Sequence, residues 1–277
     1  MGTECSHNCD NCSQTCSDRK ENTDFSVPCN AMSHIKNVIG IVSGKGGVGK
    51  SLVTALLACA MKKKGFETAV LDADITGPSI PRAFGITSGA QSCEDGILPA
   101  LTDSGIKVMS LNLLTENETD PVVWRGPIIA GTVKQFWTDV LWGDVDYMFV
   151  DMPPGTGDVP LTVFQSLPIR GIIVVTSPQE LVSMIVEKAA NMARLMNIPI
   201  LGFVENMSYY VCPECNTSHN IFGESKIDTI AAEYNVSVTG RLPLSDTLAA
   251  LIDTGNAEKY NGHELDDIAD ALSDGKR

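Results

Sequence analysis

The sequence predicts an α/β fold, a doubly wound and mostly parallel sheet with helices on both faces, carrying a short cysteine-rich N-terminal appendage. Three observations lead there. Short, nearly continuous apolar runs recur from residue 37 onward, too evenly apolar for a sheet with one face in water. Stretches with helical spacing of apolar residues separate most of them, the alternation that builds a parallel sheet covered on both sides. Several runs end in polar residues, at Asp72 and Asp74, Asp151 and Asn206, where ligands collect in open sheets of this kind.

Taken in order, residues 1–36 are polar, rich in Cys, Asn and Ser, and lack hydrophobic period; they read as a cysteine-rich segment and linker. Residues 37–277 read as a single α/β domain. NVIGIVS opens it as a β-branched strand, followed by the glycine-rich GKGGVGKS. SLVTALLACAMKKKG then repeats apolar residues at helical spacing and closes on lysines and a glycine, as helix C-termini do. TAVLDAD, IKVMSL, YMFVD, GIIVVTS, IPILGFVEN and VSVTGRLP are the further strands, with helices over 127–141, 179–196, 223–234 and 245–254. The stretch 263–277 reads as a short acidic amphipathic helix, a docked tail. Trp124, Trp137 and Trp142 read as packing anchors. There is no internal repeat.

The chain has 277 residues and a net charge of −14, from 34 acidic against 20 basic side chains. That balance argues against broad binding to nucleic acid or anionic membrane, both of which need Lys and Arg to displace counterions. No apolar run reaches the roughly 18 residues that cross a bilayer. MGTECSHNCD has neither the basic nor the apolar region of a secretory leader, so a cytoplasmic protein is expected. In that compartment nine cysteines point to metal or redox use rather than disulfides.

Gly44, Gly49, Lys50 and Ser51 satisfy G-x-x-x-x-G-K-[ST], between a strand and a helix as the motif requires, with Gly46, Gly47, Val48 and Leu52 completing the binding segment. Glycines are needed because bare backbone must curl around phosphate oxygens with its N–H groups inward. Lys50 is expected to neutralise the β- and γ-phosphates of ATP, and Ser51 to offer its hydroxyl to Mg²⁺, while the helix N-terminus adds positive partial charge. Asp151 ends the strand YMFVD, the place of a Mg²⁺-binding carboxylate, and Gly155 and Gly157 allow the next loop to contact a γ-phosphate. Asp74 is the expected water-orienting base and Asp72 the second choice; a strand-end carboxylate that merely caps the next turn is the alternative, weakened by the neighbouring phosphate loop.

Lys45, directly after the first glycine, resembles the extra lysine in the deviant phosphate loop of the dimeric ATPases that include MinD, ParA and the nitrogenase iron protein. The resemblance implies a homodimer in which Lys45 reaches the partner's nucleotide. SGKGGVGKS, LDADITGPSIPR, VDMPPGTGD, VENMS followed closely by CPEC, and GRLPLSD occur in one order, and over residues 37–255 this is similar to the Mrp/ApbC group of iron–sulfur cluster carrier ATPases. That likeness implies that Asn206 hydrogen-bonds the adenine edge. It also implies that Cys212 and Cys215 hold a bridging [4Fe–4S] cluster, passed from a cluster donor to apo-protein acceptors. Thiolate arithmetic points the same way: two ligands do not complete a cubane, and a twofold dimer supplies two more. Nucleotide-dependent rearrangement at the dimer interface would then grip or expose the cluster.

Alternatives stand beside each cysteine assignment. Cys212, Cys215 and His219 also form C-x-x-C-x-x-x-H, a fragment of a zinc site, and a redox dithiol is a further reading. Cys5, Cys9, Cys12 and Cys16 have thiolates enough for a metal centre, either a second [4Fe–4S] cluster or zinc, with a spacing unlike the bacterial ferredoxin run. His7 is a substitute ligand or a solvated tail residue. Cys59 reads as core packing, and Cys29 and Cys93 as free thiols in polar stretches. Two other functions compete. A ParA/MinD-like positioning ATPase is disfavoured by the acidic tail. An electron donor like the nitrogenase iron protein is disfavoured by the paired CPEC, since that family's cysteines are single and widely separated.

Overall fold

The structure is a computed structural model and describes residues 26–74, 77, 79–114, 126–178 and 182–274. In chain order β1 (His34–Ser43) runs through the glycine loop into α1 (Lys50–Lys63). Next come β2 (Thr68–Asp72), α2 (Ser79–Ala83), a hairpin of β3 (Gln91–Cys93) and β4 (Gly96–Leu98), then β5 (Ala100–Leu101) and β6 (Lys107–Ser110). Beyond them lie α3 (Gly126–Asp139), β7 (Asp144–Asp151), α4 (Asp158–Ser166), β8 (Ile169–Thr176) and α5 (Val182–Leu195). The last part holds β9 (Ile200–Val211), β10 (Ser218–His219), α6 (Ile227–Glu233), β11 (Thr239–Pro243), α7 (Asp246–Asp253) and α8 (Asp266–Ser273).

One sheet runs β10-β9-β8-β1-β7-β2-β6-β5, with β11 also beside β9. Its pairs are parallel except β5–β6 and β9–β10. Both faces are dry, as the apolar runs predict. In β1, Val38 and Val42 face a core shared with α3, α4, α5 and α6, while Ile39 and Ile41 face the one made with α1, α2, α7 and α8. Along α1, Val53, Leu57 and Met61 recur every fourth position and are fully buried, each contributing roughly 1.5–3 kcal/mol by leaving water. Ile268, Ala269 and Leu272 of α8 are buried too, and Tyr147 Oη donates to the Leu272 carbonyl at 3.0 Å, so the acidic tail is docked as expected.

Several elements depart from the sequence pattern. Helix α4 occupies a stretch to which the sequence pattern assigns no element; Pro160 falls in its first turn, where a missing N–H costs nothing, but proline masks the period. The hairpin β3–β4 has no apolar alternation to announce it. Strand β9 continues five residues beyond Asn206, to Val211. The domain also begins earlier than residue 37. β1 starts at His34, and ahead of it Val27 N donates to the Ser166 carbonyl at 3.0 Å, while Trp137 Nε1 donates to the Val27 carbonyl at 2.9 Å. Cys29, expected in a polar stretch, is half-buried against the α3–α4 core. Cys59 is buried in α1 as expected, and Cys93 is exposed. Trp137 and Trp142 are buried anchors with their indole N–H groups satisfied by backbone carbonyls. Cys5, His7, Cys9, Cys12, Cys16 and Trp124 lie outside the described residues.

Candidate functional site

The loop between β1 and α1 is shaped by backbone that only glycine supplies cheaply. Gly47 and Gly49 have φ of +83° and +85°. Gly49 is constrained twice, since a Cβ there would stand 2.1 Å from Asn206 Nδ2. Ser43 Oγ donates to the Lys45 carbonyl at 3.0 Å and Asn206 Nδ2 to the Val48 carbonyl at 2.9 Å, fastening the loop at both ends. Helix α1 has no acidic residue in its first turn and no side-chain cap, so its N-terminal amides and positive end remain for an anion. A cavity of about 400 Å³ opens over the loop, walled in part by Lys45, Lys50, Ser51, Asp74, Arg82 and Asp253.

Strand register brings the acidic residues to this cavity. Asp72 of β2 pairs with Asp151 of β7, next to β1, and all three strands end at the same edge. Asp151 is fully buried: Ser51 Oγ donates to its Oδ2 at 2.6 Å and Thr54 Oγ1 to its Oδ1 at 2.8 Å. Lys50 Nζ lies 2.9 Å from Asp151 Oδ1 and 3.3 Å from Asp74 Oδ2, yet it makes no well-directed hydrogen bond. Burial works against the Lys50 ammonium, but the charges of Asp151 and Asp74 outweigh it and raise its pKa above the ordinary lysine value. The two candidate bases are separated by burial. Asp74 lines the cavity, whereas Asp72 sits behind it, accepting from Ser110 Oγ at 2.8 Å and the Asp74 amide at 3.1 Å. Burial, then the neighbouring Asp151 charge, push the Asp72 carboxyl well above the usual carboxylate range.

Other predicted positions distribute as follows. Gly155 has φ of +85° and its N–H donates to the Ser43 carbonyl at 2.9 Å, so the loop after β7 lies against the phosphate loop, and Pro154 reaches the cavity wall. Lys45 is exposed on the rim. Asn206 supports the phosphate loop from β9. It is buried beneath the loop and is not among the cavity-lining residues, with Nδ2 on Val48 and Oδ1 accepting the Met207 amide at 2.9 Å. Thr54 and Arg82 went unassigned in the sequence. Thr54 had a signal, a hydroxyl four residues after Lys50 on the same helical face of an otherwise apolar run.

The CPEC segment stands at the far end of β9. Past Asn206 the strand bends at Met207, whose φ is +57°, and its pairing with β11 shifts register there. Ser218 and His219 of β10 fold back on Val211 and Tyr210, and Cys212 through Thr217 form the turn between the two strands. Cys212 N donates to the Thr217 carbonyl at 3.0 Å, and Asn216, with φ of +55°, donates its N–H to the Cys212 carbonyl at 2.8 Å. Cys215 is exposed and Cys212 half-buried. Hydrogen bonding from the Thr217 side chain, then its backbone, then Cys212 holds the Cys215 thiol below its ordinary value, favouring the ligating thiolate. Among the described residues no group of three or more His, Cys, Asp or Glu is gathered, so His219 does not join the two cysteines in one chain as the zinc alternative requires.

A family model described as NUBPL iron-transfer P-loop NTPase, of the ParA group, matches residues 34–274, from the first residue of β1 to just past α8. The chain belongs to this family. An iron–sulfur cluster carrier protein of Clostridium perfringens is 46% identical over 235 residues, 82% of each chain. Another so named, from Methanocaldococcus jannaschii, is 46% identical over 248 residues, 87% of this chain and 85% of that one. Among solved structures, a nucleotide-binding protein of Archaeoglobus fulgidus in complex with ADP has 42% identity and a TM-score of 0.75, covering 82% of this chain and 90% of its own. The protein is therefore a P-loop NTPase. Among the described residues no helix is long and apolar enough to cross a membrane.

Proposed function

We propose that this NTPase is an ATP-dependent iron–sulfur cluster carrier, holding a [4Fe–4S] cluster between two copies of the chain and delivering it to apo-proteins. The observation that carries the proposal is the placement of Cys212 and Cys215. They lie in the turn that follows β9, the strand whose Asn206 buttresses the phosphate loop, with Cys212 six positions beyond that residue and Cys215 exposed. One turn offers two thiolates, so a cubane calls for a second copy, and a cluster held at exposed turns is one that a partner's thiolates can reach.

The nucleotide chemistry follows from the cavity. The buried Lys50 ammonium without a directed acceptor fits phosphate oxygens, and the Ser51 hydroxyl beside the Asp151 carboxylate is an oxygen-only donor pair that suits Mg²⁺. Bound there, Mg²⁺ would neutralise charge on the phosphates of ATP. Lys50 adds its own charge, Asp74 positions the attacking water, Gly155 senses the γ-phosphate through its contact with β1, and Lys45 projects toward the second copy's nucleotide. The N-terminal cysteines are proposed to hold a second cluster or zinc. A reducing cytoplasm, which keeps all these thiols free, is the compartment the proposal needs.

Anaerobic reconstitution with iron and sulfide tests it. About four irons per dimer, lost in Cys212→Ala/Cys215→Ala while the chain stays folded, is the expected result. About twelve would add a cubane on each N-terminal segment. Full iron occupancy in the double variant would overturn the assignment of these cysteines, and zinc with no iron would overturn the carrier itself.

A further inference from the structure

Helix α2 carries Arg82 to the wall of the phosphate-loop cavity. The helix is pinned on two sides. Ile80 and Ala83 are fully buried in the core shared with α1, while Arg82 between them is exposed. Just past the helix, Gly85 meets Gly255 beyond α7 backbone to backbone. Their φ values are +66° and +74°, and a Cβ on Gly255 would stand 2.4 Å from Gly85 Cα. The base of the Arg82 side chain is therefore held at the cavity wall. The other cations of the cavity are engaged or stand at its mouth: Lys50 lies between Asp151 and Asp74, and Lys45 is on the rim. Among the described residues the Arg82 guanidinium has neither an ion pair nor a side-chain hydrogen bond, although Asp74 and Asp253 line the same cavity. A guanidinium with no acid of its own, set in a phosphate cavity, matches two phosphate oxygens at once.

We infer that Arg82 is a catalytic residue for ATP hydrolysis, contacting the γ-phosphate bound to its own copy of the chain and stabilising the charge that gathers there in the transition state. The inference rests on the nucleotide chemistry proposed above and not on the cluster. Its place at the γ end follows from Asp74. That carboxylate lies 3.3 Å from Lys50 Nζ, the cation expected at the β- and γ-phosphates, and α2 begins five positions after it. Ser79 and Arg82 continue the same wall of the cavity. As the water oxygen bonds to the γ-phosphorus, the bond to the β–γ bridging oxygen breaks and ADP takes its electron pair, while the water's proton leaves by way of Asp74. Negative charge is spread over the γ-phosphoryl oxygens through this step, and a guanidinium fork can hold two of them. A second copy closing the cavity mouth would leave Arg82 inside it, so no free surface is required.

Arg82→Ala and Arg82→Lys test this in the full chain. Arg194→Ala, an exposed arginine of α5 on the other face of the sheet, is the control for net charge. Calorimetry with Mg²⁺ measures affinity for ADP and for the non-hydrolysable β,γ-imido analogue of ATP, and phosphate release measures turnover. In Arg82→Ala we expect analogue binding weaker by at least about fivefold, ADP binding changed less than about twofold, and kcat lower by at least about tenfold. Arg82→Lys keeps the charge without the fork and should fall between, while Arg194→Ala should match the unaltered chain within about twofold. Unchanged analogue binding, or equal weakening of ADP and analogue, would overturn the γ-phosphate contact, and full turnover in Arg82→Ala would overturn the catalytic role. Mixing Arg82→Ala with Lys50→Ala copies decides which copy supplies the group. Each site of the mixed dimer lacks one of its own cations, so no turnover beyond that of the separate variants is expected. Recovery would mean that Arg82 serves the second copy's nucleotide, and would overturn the same-copy assignment. An unaltered chain that binds the analogue but does not hydrolyse ATP would sink the ATPase reading, while the difference between ADP and analogue still decides whether Arg82 touches the γ-phosphate.

Discussion

Thr54 shows how much the site depends on residues outside its motif. Its hydroxyl shares its one proton between Asp151 Oδ1 at 2.8 Å and the Lys50 carbonyl at 3.0 Å, tying the buried carboxylate to α1. Thr54→Val keeps the shape and removes a donor from a buried charge, so it should cost roughly 1–3 kcal/mol of stability by urea unfolding. It should also slow ATP hydrolysis, whereas Lys50→Ala should abolish it; detectable turnover in the latter would remove Lys50 from the mechanism. Cys59 carries a pH signature. Burial, reinforced by the Glu258 charge, pushes its thiol from 9.0 up to about 12. Its contribution to stability is therefore complete below pH 9.0 and declines as pH rises from there toward 12, because the unfolded chain gives up the proton first. The expected slope is about 1.4 kcal/mol per pH unit. Chemical unfolding across that range should show it, and Cys59→Ala should lack it.

At the scale of elements, the junction of β1, α1 and β9 is the most constrained place in the fold. Gly49→Ala places a methyl against Asn206 in a left-handed conformation that L-residues adopt at a cost of about 1–3 kcal/mol. Expected is a loss of nucleotide affinity by calorimetry together with lower thermal stability; unchanged affinity would mean that the loop adapts. This is also where sequence pattern and structure meet most closely. The glycine–lysine–serine spacing announces the loop because backbone geometry and phosphate chemistry both restrict it to those residues. The strand-end aspartates are legible for a related reason, since a carboxylate closing a buried strand needs a partner. Which aspartate lines the cavity was not legible. Asp72 closes β2 and Asp74 lies two residues past it, and the packing of Ser110 beside Asp72 is a tertiary contact that sequence does not announce. The buttressing bond of Asn206 was hidden for a similar reason: the motif marks the residue as special, while its bond to Val48 is a tertiary contact across 158 positions. α4 and the β3–β4 hairpin were missed because proline and short polar strands carry no period.

Across the whole molecule, charge sets what the chain can approach. With 34 acidic and 20 basic residues and a pI near 4.6, it lacks the cationic surface that anionic partners reward. Sedimentation with phosphatidylserine vesicles and titration with duplex DNA, both at physiological ionic strength, should show no binding with or without ATP. Tight, salt-sensitive binding to either would bring the positioning-ATPase function forward. The sheet order sets the two sites apart. β9 lies toward the β10 end of the sheet, so its cysteine turn is carried to the rim while β1, with the phosphate loop, stays central.

β9 also fixes a phase relation. Asn206 and Cys212 are six positions apart; past the bend at Met207 the strand runs on to Val211, and there side chains alternate between its faces. Distance and parity between the two sites are therefore written into one stretch of backbone, and neither can be retuned without the other. One alanine inserted between Tyr209 and Tyr210 would leave Asn206 against Val48 but turn Cys212 toward the opposite face. Such a chain should still bind nucleotide and should fail to take up iron at the turn, while a two-residue insertion, restoring parity, should recover part of it. The length of that strand is thus as much a specification of the protein as either motif at its ends.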